Sequence, residues 1–388
     1  LSSPIDFQKQ PCLQFQKVTG MTGNVSVVLT EAEMKSILTL VTRFPWNVAK
    51  PVISALGLAR GKGRDATHAK ILEELQHIKE RNFNKFNEII TAINNLIFGQ
   101  LVYGDKAFFC LKIEEKIISS ITEIMKFDWE LQRQPIVASD IILTEQEIQT
   151  SEKNKLKLIH YSDSDSQTVA LFSSVREQKI REKISPKNFP EYSSYDEIIA
   201  TKKEKHQCFD VCIFDKKSSS ISILIDAGTN ALSENVLFSK STIIRELYKY
   251  AGAEFECQER DFFPLIEPIF KQEVEPYSSL NYKVFELSFL SPEGTTHKER
   301  KNDATKDLRN DLFNQEGIRA VGNIGLYKIG IRVERVNPLL NLADNIELII
   351  PGTLRRYLGG SSCSPVNFAI LSKCISREDF EMLTKMIL

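Results

Sequence analysis

The stretch Phe209-Asp210-Val211-Cys212-Ile213-Phe214, the polar run Asp215–Ser220 after it, and then Ile221-Ser222-Ile223-Leu224-Ile225 decide the fold class. Both apolar pieces are rich in β-branched and aromatic residues, which suit a pleated surface. The polar run between them predicts a hairpin. Further strands are expected at Lys283–Leu290, which alternates, and at Leu326–Val333. Helices are expected at Ser239–Tyr250 and Arg377–Ile387, and a charged, solvent-facing one at Lys298–Phe313. Pro264, Pro268 and Pro276 make Phe262–Pro276 read as an extended linker.

The chain upstream reads as helical. Thr30-x-x-Glu33 is a capping box, in which each side chain satisfies a free backbone N–H at the start of a helix. Met34, Ile37, Leu38 and Val41 then recur at helical spacing. A second helix is expected from about Asn47 to Gly57, and a third after Asp65, read as its N-cap. Leu101–Ile113 reads as a strand pair turning at Gly104-Asp105. Ile117–Met125 looks helical, and Thr144-x-x-Glu147 is a second capping box. The loop Ser162–Ser166 marks the main boundary. The expected fold is therefore α+β, or α/β: an irregular arm over 1–24, a mainly helical domain over 25–155, and a mixed-sheet domain over 156–388, with a candidate subdivision near 276.

The 388 residues are 42% hydrophobic and 26% charged, an ordinary globular balance that buries a sizeable core without staples. No apolar run approaches the ~18 residues of a membrane span. The chain begins at Leu1 and shows no leader pattern there. The seven cysteines, Cys12, Cys110, Cys208, Cys212, Cys257, Cys363 and Cys374, are odd in number and scattered. That pattern fits a reducing, cytoplasmic compartment better than a disulfide framework. Net charge is −1, so whole-chain charge points to no nucleic acid. Its distribution is uneven. Nine bases face five acids over Arg43–Glu88, seven acids face two bases over Glu254–Glu275, and nine bases face six acids over Lys298–Arg335. A neutral chain can still carry one basic face.

The leading chemical feature is the basic glycine loop Gly57–Arg64. Glycines let backbone approach a phosphate, and Arg60, Lys62 and Arg64 supply charge. The next helix N-terminus offers free N–H groups, with His68 and Lys70 in its first turns. These are the elements of a phosphate-backbone contact. The arrangement over 47–80 resembles DNA-binding helix–loop–helix modules of the SAP type, a resemblance that implies DNA as partner. The loop exceeds the ~3–4-residue turn of a helix-turn-helix. It lacks the Lys-Ser/Thr pair of a P-loop. A solvated connection is the competing reading.

Other constellations carry less. Cys208 and Cys212 lie ~13 Å apart along a strand, too far to share one zinc ion, so His206, Cys208 and Cys212 predict no metal. Asp210, Asp215 and Asp226 flank the hairpin, with Glu246 on the next helix. Carboxylates so mounted hold Mg2+ against phosphate in nucleases, and Asp210, Asp226 and Glu246 are the weak catalytic candidates. The lysine usual on the second strand is missing, and turn residues explain Asp215 and Asp226 equally well. Asp210 shares a face with Cys208 and Cys212, and a carboxylate there needs a partner. Gly359–Ser364 is not a Gly-x-Ser-x-Gly elbow, and the five histidines form no local pattern. Arg355 and Arg356 read as a surface pair, and the acidic segment 254–276 as a linker.

The expected function is thus non-catalytic nucleic-acid binding, to DNA or RNA phosphates, within a larger protein complex. A host-defence or mobile-element setting would suit it. No cofactor is expected, Mg2+ entering only with a nuclease. The alternatives are that nuclease and a protein–protein adaptor without a nucleic-acid role. No membrane partner is expected.

Overall fold

The computed structural model describes residues 28–42, 44, 46–132, 141–192, 194–227, 233–337 and 342–388. The arm expected over 1–24 lies outside them. The elements in chain order are α1 (Glu31–Thr42), α2 (Trp46–Ala55), α3 (Arg64–Arg81), α4 (Phe83–Tyr103), β1 (Lys106–Lys112), α5 (Glu115–Gln132) and α6 (Glu145–Thr150). Then follow β2 (Lys157–Asp163), β3 (Gln167–Ile184), β4 (Ile198–Asp215), β5 (Ser220–Asp226), α7 (Ser233–Ala251), β6 (Gln258–Glu259) and α8 (Ile266–Lys271). The chain closes with β7 (Tyr282–Leu290), β8 (Thr296–Arg300), α9 (Leu312–Val321), β9 (Gly325–Asn337), β10 (Leu342–Ile350), α10 (Leu354–Gly359), β11 (Ala369–Ser372) and α11 (Arg377–Thr384).

The fold is α+β. One sheet runs in the order β2-β3-β4-β5-β1-β11-β10-β9-β7-β8, with β6 added to β1. Its strand pairings are all antiparallel, which corrects the α/β alternative and the mixed-sheet expectation. The β4–β5 hairpin forms as the alternation predicts, with Phe214 opposite Ile221 and Asp215 opposite Ser220. The period of two sends alternate residues to opposite faces. Phe108 of β1 joins a core with Ile37, Leu75 and Ile97 of the N-terminal helices. Its neighbours Ala107 and Phe109 join a second core with Ile121 and Met125 of α5 and Ile243 and Leu247 of α7. Helices thus cover both faces of the central strands.

Four local expectations are corrected. Leu101–Ile113 is not a strand pair: α4 continues to Tyr103, and a single strand follows. Strand β1 finds its neighbours in β5 and β11, far along the chain, so no local pattern could reveal them. The segment 262–276 is not extended. Pro264 sits at the start of a 3-10 turn, and Pro268 falls in the first turn of α8. A missing N–H costs nothing at those positions. Lys298–Phe313 is not a helix: its beginning belongs to β8, the charged edge of the sheet, and α9 starts only at Leu312. Finally, α3 begins at Arg64 with Gly63 as N-cap, so Asp65 lies inside the first turn. Both capping boxes form: Thr30 with Glu33, and Thr144 with Glu147. Ser162–Ser166 spans the hairpin turn from β2 to β3.

His160 of β2 packs against Phe98 of α4 and Trp129 of α5, with ring centroids 4.8 and 6.0 Å away. Burial pushes its imidazole down to about 4 from the ordinary 6.5. The unfolded chain therefore takes up a proton near pH 6.5 that the folded chain refuses until about pH 4. The stabilisation is complete above pH 6.5 and is lost as pH falls through that window, by about 3 kcal/mol in all. His160→Phe should flatten the fall in urea midpoint between those two pH values, and an unchanged profile would contradict this.

Candidate nucleic-acid interface and the cavity beside it

The basic glycine loop is well explained by its own backbone. A Cβ on Gly61 would lie 2.5 Å from the carbonyl carbon of Ala66, and Gly63 has φ +93°. Thr67 ties the loop together: its Oγ1 accepts from the Gly61 N–H at 3.1 Å and donates to the Gly63 carbonyl at 2.6 Å. Arg64 is committed. Its guanidinium donates to the carbonyls of Val41, Thr42 and Phe44, and lies 5.2 Å from the centroid of the Trp46 ring. It thereby satisfies carbonyls that the last turn of α1 leaves without partners. Burial lowers the His68 imidazole, with Asp65 pulling the other way, so His68 adds no charge at pH 7. Lys70 Nζ reaches back to the Arg60 carbonyl at 3.4 Å. Only Arg60 and Lys62 extend from the loop into solvent without a partner among the described residues.

Of the candidate carboxylates, Asp210 and Asp226 lie together and Glu246 does not join them. Asp210 is fully buried and ion-paired with Arg176. Its other oxygen accepts from the Asp226 N–H at 2.9 Å, and Asp226 in turn accepts from the Phe209 N–H at 2.9 Å. Burial pushes the Asp210 carboxyl up, against the pull of Arg176. The partner that a carboxylate on this apolar face required is Arg176. Glu246 pairs instead with Lys249 on its own helix, at 2.7 Å. Asp226 does face a cavity of about 410 Å³ together with Asp105, Arg176 and His206. Gln100 also lines it, 8% exposed and packed so tightly on Gly104 that a Cβ there would overlap its carboxamide. Among the described residues no three His, Cys, Asp or Glu side chains are placed to hold a metal ion. Asp210 is thus fixed in a buried hydrogen-bonded network that meets the cavity through Arg176 and Asp226.

The feature that sequence reasoning missed adjoins that cavity. β3 and β4 are each eighteen residues long. Their inner halves belong to the sheet, β3 pairing also with β2 and β4 with β5. From Arg176 opposite His206 outward to Ile184 opposite Ile198, they pair only with each other. At ~3.3 Å per residue this two-stranded ribbon extends roughly 30 Å from the sheet.

Directly opposed residues project on the same side of an antiparallel pair. One ribbon face therefore carries Lys179, Arg181 and Lys183 with the facing Lys203 and Lys205, and Glu177 as its one acid. Glu177 is held by Lys153 and, at 3.0 Å, by Lys203. Lys205 donates to the Gln149 and Ser151 carbonyls at 2.6 and 3.1 Å, and Lys183 pairs with Glu197. Lys179 and Arg181 are exposed and have no ion-pair partner among the described residues. The opposite face is balanced: Lys202 sits between Glu182 and Glu204, 2.6 Å from each, and Arg176 is spent on Asp210. The readable signal was the run Lys179-x-Arg181-x-Lys183, a period of two in charge rather than in hydrophobicity.

No protein-family model matches the chain, and no curated protein matches it. Among the described residues no helix is long and apolar enough to cross a membrane.

Proposed function

We propose that this chain binds nucleic acid through the phosphate backbone, with the basic face of the β3–β4 ribbon as the contact. The observation that carries the reading is the segregation of charge by strand period: over the paired residues 176–184 and 198–206, five cations and one carboxylate on one face, with Glu197 just beyond reaching Lys183, and balanced charge on the other. Clustered Lys and Arg release counterions from the phosphates of single-stranded and duplex nucleic acid alike. Arg60 and Lys62 form a second, smaller basic point; Arg64, His68 and Lys70 support the loop rather than the contact. The carboxylates Asp210, Asp226 and Glu246 have no part in the reading, which is non-catalytic. The six described cysteines are all free thiols, which suits a cytoplasmic protein.

A role within a larger complex is supported by α9, which leaves Leu312 and Phe313 76% and 71% exposed. The same pair favours the second reading, an adaptor without nucleic acid. Fluorescence polarisation with labelled single-stranded and duplex oligonucleotides separates the two. Binding that weakens steeply with salt supports the first, and no binding at low salt, together with a stoichiometric co-purifying protein, supports the second.

A further inference from the structure

The tip of the ribbon is unlike its shaft. Pro186–Asn188 and Pro190–Tyr192 form two 3-10 turns there. Around them Phe189, Tyr192 and Tyr195 are 38%, 49% and 61% exposed. The Tyr192 and Tyr195 rings meet edge to face at 6.1 Å. Neither buried core reaches this far, because both include β3 and β4 only up to Ala170–Phe172 and from Phe209 onward, apart from Val169 at the inner end. Three partly exposed rings grouped beyond any core form the kind of apolar patch that marks a contact site.

We infer that the ribbon takes single-stranded nucleic acid, its tip aromatics stacking on unpaired bases while Lys179, Arg181 and Lys203 follow the phosphates. This rests on the nucleic-acid reading and deepens it. A basic track beside aromatic rings is the arrangement that holds single strands, since every base offers a π-face. A duplex hides those faces in its stack, and rings reach them only by unstacking the bases. Tyr and Phe at the tip are therefore wasted on duplex and fully used on a single strand. A protein partner would use the rings too, but it gives no reason for the cation row leading to them.

The test uses the full chain and labelled single-stranded DNA, single-stranded RNA and duplex DNA, at about 50 and about 200 mM salt. The variants are Tyr192→Ser/Tyr195→Ser and, as rescue, Tyr192→Phe/Tyr195→Phe. Wild type should prefer single strands. The serine variant should lose roughly tenfold for each ring that stacks, with the salt dependence unchanged, because stacking releases no counterions. The phenylalanine variant should bind as wild type does. Two results overturn the inference while leaving the nucleic-acid reading intact: equal wild-type affinity for duplex and single strand, or a serine variant that binds single strands normally, which would assign the tip to a protein partner. Absence of any wild-type binding overturns both.

Discussion

Asp210→Ala should cost about 3–5 kcal/mol of folding stability, the usual penalty for stranding one member of a buried ion pair. The substitution leaves the Arg176 guanidinium without its carboxylate and the Asp226 N–H without its acceptor. Asp210→Asn should cost less, because a carboxamide oxygen can still accept from Asp226. The paired change Asp210→Leu/Arg176→Met should recover most of the loss, since a buried ion pair is often matched by apolar groups of similar size. Urea unfolding of the three variants reads this directly. A loss under about 1 kcal/mol for Asp210→Ala would return Asp210 to the list of residues kept for chemistry rather than for folding.

Reversing the ribbon charge should have the largest effect on binding. Lys179→Glu/Arg181→Glu/Lys203→Glu should weaken nucleic-acid affinity on the order of a thousandfold, at about 1.5 kcal/mol for each of three lost charge-assisted bonds. Lys179 and Arg181 are exposed, and Lys203 is exposed with one surface ion pair to Glu177, so folding should change by no more than about 1 kcal/mol. Lys202→Glu provides the control. It makes the same charge change one residue from Lys203, but on the face where Glu182 and Glu204 already enclose the ammonium group. It should bind nearly as wild type does. Equal losses from Lys202→Glu and Lys203→Glu would show that net charge, not a face, governs binding.

The sequence made some of this visible and hid the rest for physical reasons. The hairpin at 209–225 was legible because both strands and their turn are contiguous, so alternation and turn chemistry agree locally. β1 was hidden because its neighbours are supplied by 220–226 and 369–372. β8 was hidden for another reason: its partner β7 lies just across the turn Ser291–Thr295, but Thr296–Arg300 is polar or charged at every position and shows no apolar alternation. Asp210 was singled out correctly as a carboxylate needing a partner. The identity of that partner, thirty-four residues away, depended on strand register. The loop at 57–64 misled in an instructive way. Its glycines answer to backbone geometry at Gly61 and Gly63, and Arg64 answers to three carbonyls whose positions no local pattern shows. The ribbon was overlooked because a search for apolar periodicity passes over a strand whose alternating residues are charged on both faces.

The most direct measurement is the slope of log affinity against log salt concentration for wild type and the Lys179/Arg181/Lys203 glutamate variant on one single-stranded oligonucleotide. Each phosphate neutralised contributes roughly −0.7 to that slope on a single strand. If the basic face is the contact, the variant's slope should be shallower by roughly 2, with its residual affinity low even in dilute salt. Parallel slopes and equal affinities would contradict the account, placing the phosphate contact elsewhere on the molecule or removing it altogether.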